Sequence, residues 1–273
     1  MSTESREFAP GERGASVPET AIAVEAGGAT GELAGSTRAA ERRLVWDLPL
    51  RAFHWLFAAS ILASWGTAKL GGFTWMQWHI RLGEWMMGLI IFRIVWGLIG
   101  PRHARFTSFL KGPSTMARYA KGLAGRGEGV ASVGHNPLGG LMVIIMLLLV
   151  AFQVSTGLFA TDDIFYTGPF NPTVSNSTAE FLTSLHHINF NLIWAAIALH
   201  IGAITYYAFI KRQNLVPAML HGWKPAEAVP AEEAITGSEL WKALIVMIVA
   251  AAIVYGILSL APAASPGGAY DFN

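Results

Sequence analysis

The stretch "LHHINFNLIWAAIALH", Leu185 to His200, sets three histidines in what otherwise reads as a membrane helix. An imidazole in hydrocarbon is costly, so each of the three needs something to hold. His186 and His200 stand 14 residues apart, nearly four full turns. They therefore share a helix face, about 40° apart around the axis and roughly 21 Å apart along it. His187 lies about 140° from His200. It is the odd one out and reads as a polar residue near an interface.

Working outward, the chain is 53% hydrophobic and 14% charged over 273 residues. That balance excludes an ordinary soluble domain and points to an all-α, multi-span membrane protein. There is no cysteine, which excludes disulfides, iron–sulfur clusters and thiolate zinc sites. The first 43 residues are rich in Gly, Ala, Ser, Thr, Glu and Arg. They read as a disordered cytoplasmic tail with no apolar segment of a signal peptide.

Five apolar segments follow, each near the roughly 20 residues a bilayer requires. They run from about Pro49 to Ala68, Trp75 to Ile99, Pro137 to Ala160, Thr178 to Ile210 and Leu240 to Leu260. Asp47 is expected to cap the first, with Pro49 in its first turn. "GP" at Gly100 and Pro101 is expected to stop the second, and Ser177 with Glu180 has capping-box spacing at the start of the fourth. The expected organisation is a tail over residues 1–43, a transmembrane domain over 44–212, a cytoplasmic linker over 213–238, and a fifth span with a short periplasmic tail over 239–273.

Basic residues give the orientation. Arg38, Arg42, Arg43 and Arg51 precede or open the first span. Arg102, Arg105, Lys111, Arg118, Lys121 and Arg126 fill the loop after the second. Lys211, Arg212 and Lys224 follow the fourth, and Lys242 opens the fifth. On the other side Lys69 stands alone, and the loop Thr161 to Ser184 holds Asp162, Asp163 and Glu180 with no basic residue. The N-terminus is therefore expected in the cytoplasm and the C-terminus outside.

With that orientation, His54 lies at the inner level with His200, and His79 at the outer level with His186. Two opposed pairs on one shared helix face call for a group bound by two imidazoles. Zinc takes three or four ligands, whereas haem iron takes one or two and its porphyrin fills an apolar gap between helices. Gly83 and Gly202 stand near the histidines, where small residues let a flat ring approach. Two six-coordinate haems at these levels imply electron transfer across the membrane.

These segments also resemble a known family, the bacterial cytochrome b561 type, which includes the b-type gamma subunits of membrane hydrogenases and formate dehydrogenases. "RAFHW" (Arg51 to Trp55), "HIRLG" (His79 to Gly83) with "RIVW" (Arg93 to Trp96), "GHNPLGG" to "QVSTGLF", and the opening stretch carry the resemblance over Leu44 to Arg212. It implies a four-helix transmembrane cytochrome b bundle, to which this chain adds a fifth C-terminal helix. It also implies two haems b and exchange of electrons with quinone. Carried over by motif, the ligands are His54, His79, His186 and His200. Hydrogenase, dehydrogenase or cytochrome c partners on the periplasmic side of a bacterial cytoplasmic membrane follow as expectations. Nucleic acid does not.

Arg81 and Arg93 on the second span stand near the outer and inner levels and suit anionic haem propionates. Snorkelling to an interface is the competing reading for both. His135 reads as a helix-entry residue that could reach a quinone or a propionate. Gln153 is expected to bond a neighbouring helix, and His103 and His221 are given no role. Two other functions remain open at this stage. One is a stand-alone quinone-linked oxidoreductase acting at the outer haem, and the other is a haem-free transporter or structural subunit.

Overall fold

The computed structural model describes residues 41–124, 132–162 and 166–262. The expected tail up to residue 40, Arg126, Asp163 and the last eleven residues lie outside them. In chain order the described elements are β1 (Arg42–Leu44), α1 (Leu48–Leu70), α2 (Gly72–Ile99), α3 (Phe106–Phe109), α4 (Pro113–Ala124), α5 (Pro137–Gly157), α6 (Asn176–Phe209), α7 (Val216–His221), β2 (Trp223–Pro225) and α8 (Leu240–Ser259).

Local chemistry sets the long helices. Asp47 caps α1 as expected, its Oδ1 accepting from the Leu50 amide at 2.9 Å with Pro49 in the first turn. The chain reverses at Gly71, whose φ of 64° suits a residue without Cβ. Because a single residue makes the turn, α2 starts at Gly72, earlier than apolarity alone indicated. Gly100 and Pro101 stop α2 as expected. Asn136 caps α5 through Gly139 N at 2.7 Å. The start of α6 differs from the expected capping box. Ser175, not Ser177, is the cap, accepting from Thr178 N at 3.2 Å, so the helix begins at Asn176.

Helices α1, α2, α5 and α6 share one apolar core, to which Phe57 and Ile61, Met86 and Leu89, Leu147 and Val150, and Ile193 contribute in turn. Helix α8 packs against α2, with Val254 Cγ2 3.6 Å from where a Cβ on Gly88 would stand. Its small and mid-sized residues Ala243, Val246 and Ala250 are buried, while Leu244 and Ile248 face outward as lipid-facing side chains do. By length and composition α2, α5, α6 and α8 can each cross a membrane. Helix α1 is long enough at 23 residues. Its Arg51, His54, Ser60, Ser64, Thr67 and Lys69 make it the least apolar of the five.

The Lys- and Arg-rich end of the bundle, the basic end, carries an ordered cap where the sequence suggested only a linker. Residues Arg42–Leu44 pair antiparallel with Trp223–Pro225, so Arg42 and Arg43 belong to the folded unit rather than to a tail. The Gly222 carbonyl accepts from Val45 N and Trp46 N at 2.9 and 3.1 Å, and Leu44 O accepts from Ile235 N at 2.9 Å. Arg43 donates to Val229 O at 2.5 Å and Lys224 to Val133 O at 2.7 Å. Val45, Trp46, Leu50, Trp96, Val229 and Val246 form the core beneath the cap.

Candidate functional site

The four histidines singled out by spacing meet in the two expected pairs. The ring centres of His54 on α1 and His200 on α6 lie 6.4 Å apart. Those of His79 on α2 and His186 on α6 lie 6.2 Å apart. All four rings are partly buried, whereas His187 is exposed. The helix-face reading of the opening stretch therefore holds in three dimensions.

The pair at the end away from the cap is oriented by backbone carbonyls. His79 Nδ1 donates to Ser64 O at 2.9 Å, with Ser64 Oγ at 3.2 Å. His186 Nδ1 donates to Gln153 O at 3.0 Å, with Thr156 Oγ1 at 3.2 Å. A carbonyl can only accept, so in both rings Nδ1 carries the proton and Nε2 keeps its lone pair. This is the usual arrangement of metal-binding imidazoles, whose remote N–H is held by a carbonyl or carboxylate. Gly157 makes the approach possible, since a Cβ there would stand 3.0 Å from His186 Cε1.

At the basic end the pattern is different. Five buried side-chain nitrogen and oxygen atoms among the described residues have no hydrogen-bond partner, and all belong to four residues at this level. They are His54 Nδ1, both terminal nitrogens of Arg93, Asp47 Oδ2 and His135 Nδ1. Arg93 is 1% exposed and lies over the Phe106 ring, 4.7 Å from its centre. It follows His79 by 14 residues on α2, the same interval that separates His186 from His200 on α6. It therefore occupies the matching level and face of its helix.

Asp47 is fully buried, and its Oδ1 accepts from Trp96 Nε1 at 3.0 Å as well as from Leu50 N. Burial pushes its carboxyl above the ordinary range, against the bonds from Leu50 and Trp96 and the charge of Arg93. His135 packs against Trp46 and Phe109, with ring centres at 4.7 and 4.8 Å. Burial, then the charges of Arg93, His103, Lys224 and His54, hold it down at about 3.

Sequence reasoning missed several of these groups. His103, given no role, is buried, and its Nε2 donates to Glu233 O at 2.8 Å. Ser64, Thr156 and the Asp47–Trp96 pair have no spacing signal, because each contact joins different helices. Glu84 on α2 also escaped notice; it is partly buried and feels the charge of Arg81. Arg81 itself is exposed. Gln153 behaves as expected, accepting from Asn189 Nδ2 on α6 at 2.7 Å.

A membrane bundle that turns histidines inward in facing pairs has the architecture of a membrane cytochrome. The family model for prokaryotic cytochrome b561 matches residues 45–222, and the chain belongs to that family. The match includes all four paired histidines and ends before α8. The chain is 28% identical, over 232 aligned residues, to a Rhodobacter capsulatus protein named "Probable Ni/Fe-hydrogenase B-type cytochrome subunit". The alignment covers 72% of this chain and 86% of that relative. No solved structure matches. As a family member the chain is a haem-carrying, multi-pass membrane protein of electron transport, and the haem-free reading is set aside.

The residues present fit haem b. Two imidazoles bound to one metal through single nitrogens at about 2 Å place their ring centres roughly 6 Å apart, close to both observed separations. Among the described residues no three His, Cys, Asp or Glu side chains converge as a multi-ligand metal site needs. A Cβ at Gly83, one turn after His79, would meet nothing within 4 Å, leaving room on the helix face that bears that histidine. The unpartnered guanidinium of Arg93 suits an anionic propionate.

Proposed function

We propose that this chain is a dihaem b-type cytochrome that carries electrons across the bacterial cytoplasmic membrane, between quinone and a redox partner on the periplasmic side. His54 and His200 hold the inner haem, and His79 and His186 the outer one. The observation that carries the reading is the pair of facing imidazole couples at 6.4 and 6.2 Å, on a helix face that sets the two levels roughly 21 Å apart. Haem b supplies one-electron chemistry between ferric and ferrous iron.

The protein's own residues do the rest. Ser64 and Gln153 fix the outer imidazoles with Nε2 free. Arg93 holds an inner propionate, and Arg81 serves the outer level in the same way. Helix α1 also spans the membrane, its Ser60 and Thr67 hydroxyls satisfied within the helix by Leu56 O at 2.7 Å and Ala63 O at 3.0 Å. The basic loops at the capped end support a cytoplasmic position for it. The hydrogenase-type relative supports a periplasmic hydrogenase or dehydrogenase subunit as partner, with a basic cytochrome c as the other candidate for the acidic outer loop.

The test is haem quantification of the purified chain, followed by reduction with a quinol. Two b haems per chain that quinol reduces support the reading. One haem or none contradicts it. Turnover of a small substrate without a partner subunit favours a stand-alone quinone-linked oxidoreductase.

A further inference from the structure

We propose that Asp47 is a proton-binding site coupled to the inner haem, its proton occupancy rising from the cytoplasmic side when that haem is reduced and falling again on oxidation. The inference rests on the dihaem reading above, and on the grouping of every unpartnered buried side-chain polar atom among the described residues at one end of the bundle. A native protein leaves few such atoms, and a cluster of them marks a place where protons, water or a ligand are handled.

Asp47 precedes His54 by seven residues. That is almost two full turns, which places it on the α1 face that bears the inner histidine, about 10 Å below it. One carboxylate oxygen is engaged by Leu50 N and Trp96 Nε1, while Oδ2 is buried and free. The cation whose charge it feels is Arg93, yet neither of that residue's terminal nitrogens bonds the carboxylate. With Arg93 committed to a propionate, Asp47 has no countercharge of its own, and a buried unpaired carboxylate favours its protonated form.

The other charged groups around it are accounted for. Arg51 on α1 donates to Trp46 O at 3.2 Å and to Leu220 O. His103 is held by Glu233 O and Lys224 by Val133 O. Glu239 and Lys242 at the start of α8 pair with each other at 2.7 Å. His135 lies beyond Trp46 and feels Arg93 more strongly than His54.

The step balances simply. One electron reaches the inner haem, and in the molecules whose Asp47 responds one proton from cytoplasmic water forms an O–H bond at its Oδ2. When the electron leaves, that bond breaks and the proton returns. A unit charge about 10 Å away, at an effective dielectric near 20, changes proton affinity roughly tenfold, so on average at most about half a proton is bound per electron. By linkage the haem's midpoint then falls by about 59 mV in total as pH rises through the window, since each tenfold corresponds to about 59 mV for one electron.

The experiment is a redox titration of the full chain with both haems, from pH 5 to 9, for the wild type and Asp47→Asn. Asparagine also caps helices well, so this variant keeps the α1 cap. One midpoint should fall with pH in the wild type, the other should not, and the slope should vanish in Asp47→Asn. Two flat wild-type midpoints, or a slope that survives the substitution, overturn the proposal. The wild type offers a second readout that needs no variant. On reduction, a carboxylic C=O band should appear in the infrared difference spectrum and shift when aspartate is ¹³C-labelled. The chain has four aspartates, and Asp47 alone precedes the outer loop. A band that ignores the label overturns the proposal. A chain that binds no haem defeats the cytochrome reading instead.

Discussion

The Nδ1 atom of His186 lies 3.0 Å from the carbonyl oxygen of Gln153 on the neighbouring helix. That one bond settles which ring nitrogen carries the proton and leaves Nε2 with its lone pair, as does the bond from His79 Nδ1 to Ser64 O at 2.9 Å in the facing ring. The His79–His186 pair is thus preorganised by backbone, which side-chain substitutions nearby cannot easily remove.

Gly157 should be the exception. A Cβ there stands 3.0 Å from His186 Cε1 and 3.3 Å from Nδ1, tight enough that the ring must shift. Gly157→Val, with two further carbons, should displace His186 and lower haem from two per chain to one, while Gly157→Ala should alter the electron paramagnetic resonance of the outer haem alone. Unchanged haem content and resonance in both variants would contradict this placement.

Asn189 joins α5 and α6 through Leu149 O at 2.8 Å and Gln153 Oε1 at 2.7 Å. Bonds of this kind within membranes contribute about 0.6 kcal/mol and at most about 1.7. Asn189→Leu should therefore lower thermal stability in detergent modestly and leave both haems bound. Loss of haem would mean that Asn189 positions His186 rather than merely fastening the helices.

Trp96 is fully buried and donates to Asp47, the cap of α1. Trp96→Phe keeps most of the packing against Phe92, 5.8 Å away, but removes the donor. A hydrogen bond to a charged group contributes about 1.5–3 kcal/mol. Chemical denaturation should register a loss near the lower end, because Leu50 N still serves Oδ1 and burial raises the pKa of this carboxyl.

His135 gives stability a pH dependence. Its folded value of about 3 lies below the ordinary 6.5, so between these limits the unfolded chain binds a proton that the folded chain does not. The stability this contributes is complete above pH 6.5 and is lost as pH falls toward 3. It amounts to a few kcal/mol, on the order of one for each pH unit crossed. Melting measured at pH 7.5 and 4.5 should show a smaller acid loss for His135→Phe than for the wild type. Equal losses would show that His135 is solvated.

The bundle was legible because hydrophobic length and helical period are written locally. The 14-residue interval in α6 alone selected His186 over His187, and matching depth supplied His54 and His79. The caps at Asp47 and Gly100 were equally local. The cap built from β1, β2 and the segments around them was not, because it joins Arg42–Leu44 to residues some 180 positions away through backbone bonds that leave no periodic trace. His103 looked like a loop residue for the same reason. Its burial depends on Glu233 and Trp46, each brought up by a different segment. The α6 cap was misplaced by two residues because Ser175 and Ser177 are chemically alike, and only the backbone path into the helix distinguishes them.

The most direct measurement is a reduced-minus-oxidised spectrum with haem quantified per chain, for the wild type, His186→Ala and His187→Ala. The paired-histidine account predicts two b haems in the wild type and in His187→Ala, and loss of one in His186→Ala. Full haem content in His186→Ala, or loss in His187→Ala instead, would contradict it.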